Sequence, residues 1–150
     1  MSRCAIVIPL FNEEKRFSYS DFQILLKNDN LRIILVDDGS TDNLINLLRN
    51  EFGYFPNLEF IQLSRNQGKA EAVRRGMKRA SQLGFDFFAV IDGDFSYSAE
   101  EFLRLLSFAS KTNSDITSGV RTIANSKSLI WSFRLWQGIA FRHFINFFFL

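Results

Sequence analysis

The feature that most constrains this fold is a regular alternation of short apolar runs with longer segments of helical period. Five runs predict strands, at residues 4–9, 31–36, 58–63, 87–91 and 115–118. The second run is continuously apolar after Arg32, as expected of a strand that is buried on both faces of a sheet. Strands that alternate with helices form a mostly parallel sheet with right-handed crossovers. We therefore predict an α/β fold with three layers, α/β/α.

The segments between these runs predict the helices that cover the sheet. They are residues 13–27, interrupted by a polar and aromatic patch at 16–20, a segment after Ser40, residues 68–83, and a segment that opens at Ser98. Ser98 and Glu101 have the spacing of a capping box. In residues 68–83 we expect Val73, Met77 and Ala80 to face inward, and Gly84 to stop the helix.

Composition places the chain among globular proteins and excludes several classes. Its 150 residues are 47% hydrophobic and 23% charged, which suits one domain with a substantial core. A formal net charge of +2 is too small to indicate a nucleic-acid partner. The single cysteine, Cys4, excludes an internal disulfide, and we expect it to be a buried small residue. Because a single cysteine forms no internal disulfide, we predict the reduced cytoplasm as its compartment. No run has the roughly 18 apolar residues of a membrane span, and no signal peptide is evident.

Acidic sequences follow three of the predicted strands. Residues 9–14 read Pro-Leu-Phe-Asn-Glu-Glu, residues 37–42 read Asp-Asp-Gly-Ser-Thr-Asp, and residues 92–94 read Asp-Gly-Asp. Ligands of parallel sheets bind beyond the carboxyl ends of the strands. Five carboxylates should therefore gather at one sheet edge: Glu13, Asp37, Asp38, Asp92 and Asp94.

Such a cluster of like charges needs a cation or hydrogen-bond donors to offset it. A hard divalent ion with oxygen ligands, Mg²⁺ or Mn²⁺, meets that need and bridges to phosphates. Gly93 would let the backbone approach a ligand closely. Each loop by itself also fits simple turn or helix capping. Three acidic loops on one edge are harder to explain by capping, and this conjunction favours a ligand site.

Residues 65–69, Arg-Asn-Gln-Gly-Lys, follow the third strand and open a helix. A helix N-terminus with a nearby Lys69 attracts phosphate, although a helix start with solvated charges is an equally good reading. The segment lacks the Gly-x-x-x-x-Gly-Lys-Ser/Thr pattern of a nucleotide-triphosphate loop. No Gly-x-Gly-x-x-Gly follows the first strand, which argues against a dinucleotide dehydrogenase.

Taken in order, these segments together with Ser118-Gly119-Val120-Arg121 resemble family 2 glycosyltransferases. The resemblance is strongest to the branch that includes dolichyl- and polyprenyl-phosphate mannosyl- and glucosyltransferases. It implies a GT-A fold, a nucleotide-diphosphate sugar donor linked to uridine or guanosine, and inversion at the anomeric carbon.

The resemblance also assigns roles by position. It implies that Pro9, Phe11 and Glu13 line the base and ribose pocket, and that Asp37 or Asp38 forms a hydrogen bond with the base. Lys69 and Gly93 would join the donor-nucleotide site. Asp94 would bind the metal, and Asp92 the ribose or the metal, so these two carboxylates are the candidate catalytic pair. Ser96 and Arg121 fall where the family contacts donor or acceptor phosphates. The family usually has a small residue such as Ala where Gly93 stands, and Gly-Ser before the position of Arg121.

The chemistry of the acceptor favours a lipid phosphate. A hydroxyl acceptor needs a general base, whereas a phosphate is already ionised at neutral pH. We therefore predict transfer to a polyprenyl or dolichyl phosphate. The alternatives are a non-catalytic donor-binding fragment or membrane-associated scaffold of the same fold, and a signalling receiver domain. In a receiver the acidic pair should follow the first strand, whereas Asp37 and Asp38 follow the second.

The C-terminal segment is helical in pattern and rich in aromatic residues. We divide the chain into a nucleotide-sugar-binding core, residues 1–122, and an amphipathic tail, residues 123–150. Trp and scattered Arg residues in residues 129–150 suit an interfacial helix at the cytoplasmic face of a membrane, and a core helix under a later part of the chain is an equal alternative. The chain ends within this helix, so we expect a truncated polypeptide whose apolar surface is compatible with a partner or an oligomer.

Overall fold

The computed structural model describes residues 3–112 and 116–118. They belong to a unit that ends at Ser118, and a second unit, Gly119–Leu150, lies outside the described residues. The predicted tail, its helix from residue 129, the division at residues 122 and 123, and Arg121 therefore lie outside them too. In the described ranges, no helix has both the length and the apolar character needed to span a bilayer.

Strands and helices alternate along the described residues, as predicted. Their order is β1 (Cys4–Leu10), α1 (Tyr19–Leu26), β2 (Leu31–Asp37), α2 (Leu44–Phe52), β3 (Leu58–Gln62), α3 (Lys69–Ser81), β4 (Phe87–Val90) and α4 (Ala99–Thr112). The strands form a parallel sheet in the order β3-β2-β1-β4. The predicted α/β class with a parallel sheet is confirmed.

The strand order determines which face each helix covers. The chain steps outward from β1 to β2 and β3, then crosses back to place β4 on the other side of β1. Right-handed crossovers put the helices of the outward steps on one face and the returning helix on the opposite face. Accordingly, α1 and α2 pack on one side of the sheet and α3 on the other, which completes the three layers.

This topology also locates a crevice. The order of the strands along the chain reverses direction between β1 and β4, and open parallel sheets bind their ligands at such a switch point. The register of β1 on β2 runs from Cys4 opposite Leu31 to Leu10 opposite Asp37, so both strands end at the same level. The polar sequences that follow β1, β2 and β4 therefore meet at one edge.

Small residues bring α3 close to the sheet. Its buried face consists of Ala72, Gly76 and Ala80, so the predicted inward position of Ala80 is confirmed. Met77 is partly buried and packs against this part of the core, whereas Val73 is only partly buried. A Cβ on Gly76 would lie 2.3 Å from Cγ1 of Val7, so only glycine allows this approach. Apolar periodicity favoured the larger side chains because it does not reveal how close two elements come.

Two other predictions need correction. The first helix begins at Tyr19, since the residues before it form a separate turn in which the Glu13 carbonyl accepts from the N–H groups of Arg16 and Phe17. Residues 116–118, the described part of the predicted fifth strand, are not in strand conformation, and Ile116 is 89% exposed.

Two local predictions are confirmed. The Ser98 hydroxyl accepts from the N–H of Glu101 at 3.2 Å, and the Glu101 carboxylate accepts from the N–H of Ser98 at 3.1 Å, which is a reciprocal capping box. Cys4 is fully buried, and this burial raises the pKa of its thiol to about 12. The side chain therefore behaves as a small apolar residue of the core.

Candidate functional site

A cavity of about 360 Å³ opens at the carboxyl ends of the strands, at the crevice between β1 and β4. Segments that follow all four strands contribute to it. Its lining residues are Pro9, Leu10, Phe11, Glu13, Arg16, Asp38, Asn66, Lys69, Asp92, Gly93 and Asp94. Four carboxylates and two cations line this space, for a formal charge of −2.

Asp37 and Asp38 occupy different environments although they are adjacent. Asp38 is 2% exposed, and its two oxygens accept from the N–H groups of Gln67 and Gly68, each at 2.8 Å. Asp37 is 4% exposed and accepts from the N–H of Ser40 at 2.9 Å and from the Gln62 amide at 3.3 Å. Asp38 lines the cavity and Asp37 does not, so the prediction that all five carboxylates share one site holds for four of them.

Asp92 is paired with a cation from another loop. Nζ of Lys69 lies 2.5 Å from Oδ1 of Asp92, and both side chains are more than half exposed. Lys69 is the first residue of α3, so the loop that Asp38 fixes also places this ammonium group. Asp92 and Lys69 therefore present a carboxylate and an ammonium side by side to the cavity.

Asp94 lies in a tight turn that Ser96 stabilises. Oδ1 of Asp94 accepts from the Ser96 N–H at 3.0 Å and from the Ser96 hydroxyl at 2.8 Å. Partial burial opposes ionisation, but the two bonds from Ser96 and the charges of Arg16 and Lys69 outweigh it, and the pKa of Asp94 is lowered. The carboxylate is thus ionised at neutral pH and suited to bind a cation.

The same turn is anchored by an apolar side chain. Phe95 has a φ of 47°, which is unusual for a bulky residue. Its ring is 7% exposed and packs edge-on against Phe17, with ring centroids 5.7 Å apart. Burial of Phe95 therefore offsets a strained backbone conformation beside Asp94.

Glu13 lies in the wall of the cavity with one oxygen engaged. Its Oε1 accepts from Nη2 of Arg16 at 2.7 Å. Its Oε2 is buried and has no hydrogen-bond partner among the described residues. A buried acceptor without a donor costs free energy, so Glu13 is prepared to accept a hydrogen bond from a ligand.

Asn12 ties the loop after β1 to the loop after β2. Its Oδ1 accepts from the N–H groups of Thr41 at 2.8 Å and Asp42 at 3.3 Å, and its own N–H donates to Oγ of Ser40 at 3.0 Å. Its backbone has a φ of 52°, a region that asparagine tolerates better than most residues. Asn12 thus holds two cavity loops in a single arrangement.

The structure brings together most of the predicted site residues at this cavity. Those that line it are Pro9, Phe11, Glu13, Asp38, Lys69, Asp92, Gly93 and Asp94. Ser96 contacts Asp94 at the edge, and Arg121 lies outside the described residues. Gly93 packs on β1, since a Cβ there would lie 2.5 Å from Cδ2 of Leu10.

Three residues that line the cavity were not predicted as site residues, namely Leu10, Arg16 and Asn66, and the structural role of Asn12 was not predicted either. Arg16 lies in the segment that was predicted as an interrupted helix, where a basic residue is ordinarily a solvated charge. Asn66 was quoted in the helix-opening segment without a role. A basic residue three positions after a glutamate in an acidic loop was the available signal for Arg16.

The residues of the cavity fit a divalent cation that is shared with a ligand. No group of three or more potential ligands, from His, Cys, Asp and Glu, comes together in the described ranges, so they offer no complete protein cage for a metal. Mg²⁺ and Mn²⁺ need fewer protein ligands when phosphate and water complete the shell. Asp94 and Asp92, on either side of Gly93, are two such oxygen donors, and the negative formal charge of the cavity favours a cation.

The family described as "Glycosyl transferase family 2" matches residues 5–149. The chain is 34% identical over 120 residues to an uncharacterised protein of Methanocaldococcus jannaschii, with 77% of this chain and 50% of the relative covered. It is 33% identical over 118 residues to the undecaprenyl-phosphate 4-deoxy-4-formamido-L-arabinose transferase of Yersinia enterocolitica, with 73% and 34% covered. The chain thus spans half or less of the length of these relatives.

Solved structures share the fold at low identity. S. aureus TarS 1–349 in complex with UDP superposes with a TM-score of 0.62 at 22% identity, covering 87% of this chain and 40% of that one. The mannosyltransferase PcManGT from Pyrobaculum calidifontis, in complex with GDP-Man and Mn²⁺, has a TM-score of 0.55 at 18% identity, covering 73% and 32%. These neighbours, together with the parallel sheet, confirm the predicted GT-A fold class.

Proposed function

The chain belongs to glycosyl transferase family 2, and we propose that its cavity binds the nucleotide-diphosphate sugar of an inverting glycosyltransferase. The observation that supports this proposal most strongly is the set of residues that line the cavity. Carboxylates that follow three parallel strands converge there with Lys69, at the switch point where such sheets bind ligands. TarS in complex with UDP and PcManGT with GDP-Man have the same fold, which supports a nucleotide-linked donor.

In this proposal the acidic pair of the fourth strand holds Mg²⁺ or Mn²⁺. The resemblance makes Asp94 the principal ligand, and Asp92, which is paired with Lys69, contributes to the metal or to the ribose. A bound divalent cation would neutralise charge on the departing nucleotide diphosphate. The Mn²⁺ named in the PcManGT structure supports this choice of cofactor.

The remaining cavity residues would position the donor nucleotide. Pro9 and Phe11 offer an apolar surface, and Phe11 is 43% exposed, so its ring is available to a base. Oε2 of Glu13 would accept a hydrogen bond from the nucleoside. Lys69 would contact the diphosphate, with Asp92 beside it. Ser96 would support Asp94, and we assign Arg121 to phosphate contacts on the resemblance alone.

We further propose that the acceptor is a polyprenyl phosphate. The Yersinia relative is named for an undecaprenyl phosphate, which supports a lipid-linked acceptor. An ionised phosphate attacks the anomeric carbon without a general base, so Asp92 and Asp94 need not remove a proton. A lipid acceptor implies a protein that works at the cytoplasmic face of a membrane, and residues 129–150 are our proposed membrane-side segment.

Calorimetry with UDP- and GDP-linked sugars, with and without Mn²⁺, tests the donor site and identifies the base. We expect Mn²⁺-dependent binding of one nucleotide class, and Asp94→Asn should weaken it at least about tenfold because a neutral amide is a poor ligand for a hard cation. Asp29→Asn is the matched control, since Asp29 is exposed in the turn before β2, at the opposite end of the sheet. Absence of binding in every combination would refute the donor site.

The partial length of the chain favours a second reading, a donor-binding fragment with little transfer activity. The described residues supply the carboxyl-end loops, while the relatives are at least twice as long as the matched region. A transfer assay to a polyprenyl phosphate should compare this chain with the full-length Methanocaldococcus jannaschii relative. Donor binding without transfer supports the fragment, whereas comparable turnover supports the complete enzyme.

A further inference from the structure

We propose that Arg16 is an anion-binding residue of the cavity, which takes a phosphate oxygen of the bound ligand through its guanidinium group. This inference rests on the proposed function, because it assigns a contact within the same site. Arg16 lines the cavity, and 64% of its side chain is exposed, so a ligand can reach it. A guanidinium group presents several N–H donors in a planar fork that matches phosphate geometry.

The position of Arg16 is fixed by the packing of the residue that follows it. The N–H groups of Arg16 and Phe17 both donate to the Glu13 carbonyl, at 2.8 and 2.9 Å. Phe17 is buried and packs edge-on against Phe95, next to Asp94. The turn that carries Arg16 is therefore attached to the turn that carries Asp94, and the two side chains serve the same part of the cavity.

Each of the two cationic side chains that line the cavity is paired with a carboxylate. Glu13 holds Arg16 at 2.7 Å, and Asp92 holds Lys69 at 2.5 Å. Arg16, Lys69 and Asp94 line the same cavity, and both positive charges help to lower the pKa of Asp94. A diphosphate bound in this cavity would meet two cations that their carboxylate partners already orient.

Arg16 can take a phosphate oxygen without leaving Glu13. Only Nη2 of Arg16 is given to Glu13, and a guanidinium group has further N–H donors. Charge-assisted bonds from these donors to phosphate are short and often bidentate. The carboxylate also limits the rotamers of Arg16 before binding, which lowers the entropy cost of ordering it.

The phosphate has two sources in this site, the diphosphate of the donor and the phosphate of the acceptor. They share the chemistry that Arg16 recognises, and separate ligands distinguish them. Binding of UDP, GDP, inorganic pyrophosphate and a short-chain polyprenyl phosphate should be measured by calorimetry with Mn²⁺ for the wild-type chain, Arg16→Gln and Arg16→Lys. Lys15→Gln is the matched control, because it removes the same charge from the adjacent exposed position, which does not line the cavity.

We expect Arg16→Gln to weaken at least one phosphate ligand about tenfold, Arg16→Lys to retain part of the affinity, and Lys15→Gln to stay within about twofold of the wild type. Loss for pyrophosphate and the nucleotide identifies the donor, and loss for the lipid phosphate alone identifies the acceptor. Equal affinities of Arg16→Gln and Lys15→Gln for every ligand would overturn the inference while leaving the donor site intact. A wild-type chain that binds pyrophosphate through Arg16 but no nucleotide would instead refute the proposed function.

Discussion

The carboxylate of Asp38, just after β2, accepts a 2.8 Å hydrogen bond from the backbone N–H of Gly68, at the start of α3. Its other oxygen accepts from Gln67 at the same distance. This buried carboxylate therefore holds the loop that carries Asn66 and Lys69 against the cavity. Backbone N–H groups therefore offset part of the negative charge of the acidic loops.

Asp38→Asn should destabilise the fold and loosen this loop. An asparagine offers one acceptor oxygen and turns an N–H₂ group toward a backbone N–H, so we expect a loss of about 1–3 kcal/mol in the free energy of unfolding. Nucleotide affinity should fall as Lys69 loses its fixed position. Denaturant unfolding and calorimetry measure the two effects. Asp37→Asn is the comparison, since Gln62 can rotate its amide toward the new side chain; an equal or larger loss there would contradict this role of Asp38.

Gly39→Ala should be far more damaging than Gly84→Ala. Both glycines have positive φ, 69° and 65°, so alanine is strained by roughly 1–2 kcal/mol at either position. A Cβ on Gly39 would also lie 2.4 Å from the backbone carbonyl carbon of Arg65, whereas a Cβ on Gly84 would meet nothing within 4 Å. We expect the difference in unfolding free energy between the variants to be about 1–3 kcal/mol. Thermal and denaturant unfolding would show this, and indistinguishable variants would disprove the close approach of the two loops.

Asn12→Gly should lower nucleotide affinity more than Asn12→Asp does. Glycine accepts the positive φ of this position without strain but removes the acceptor for Thr41 and Asp42, while aspartate keeps that acceptor. The loss of such a capping oxygen costs about 1 kcal/mol of stability. Calorimetry and unfolding should be measured on both variants. Tight nucleotide binding by Asn12→Gly would show that the link between the two loops is dispensable.

The network at Glu59 predicts a specific pH dependence of stability. Burial opposes ionisation of Glu59, but its bonds to Arg79 and Arg32 outweigh this, and its pKa falls below the ordinary value of 4.5. A carboxylate whose pKa is lower in the folded protein than in the unfolded chain stabilises the fold at pH values above its unfolded pKa. This stabilisation is lost as the pH falls through the pKa of the folded state. Glu59→Gln should therefore cost about 1 kcal/mol at pH 7 and progressively less in acid.

Unfolding of the wild type and Glu59→Gln across pH 2–7 checks this dependence. Glu51→Gln, an exposed carboxylate of α2, is the control and should remain close to the wild type throughout. A loss for Glu59→Gln that did not change with pH would indicate packing rather than charge as its cause.

Much of the fold could be predicted because its signals are local. The apolar runs located all four described strands, and the capping spacing of Ser98 and Glu101 located the start of α4. The start of α1 was predicted too early because residues 13–17 form a separate turn, closed on the carbonyl of Glu13, whose sequence pattern resembles that of a helix. The close approach of α3 to the sheet was missed because Gly76 carries no apolar side chain to reveal it.

The sequence by itself determined that acidic loops end the strands, and a parallel sheet then brings those loops to one edge, since parallel strands have their carboxyl ends on the same side. Only the tertiary structure decided which of these carboxylates line the cavity and which groups pair with them. It separated Asp38 from Asp37, paired Lys69 with Asp92, and placed Arg16 in the cavity. These outcomes depend on contacts between loops more than 20 residues apart or on how a turn packs. Hydrophobic period and motif spacing carry no record of such contacts, because they describe only neighbours along the chain.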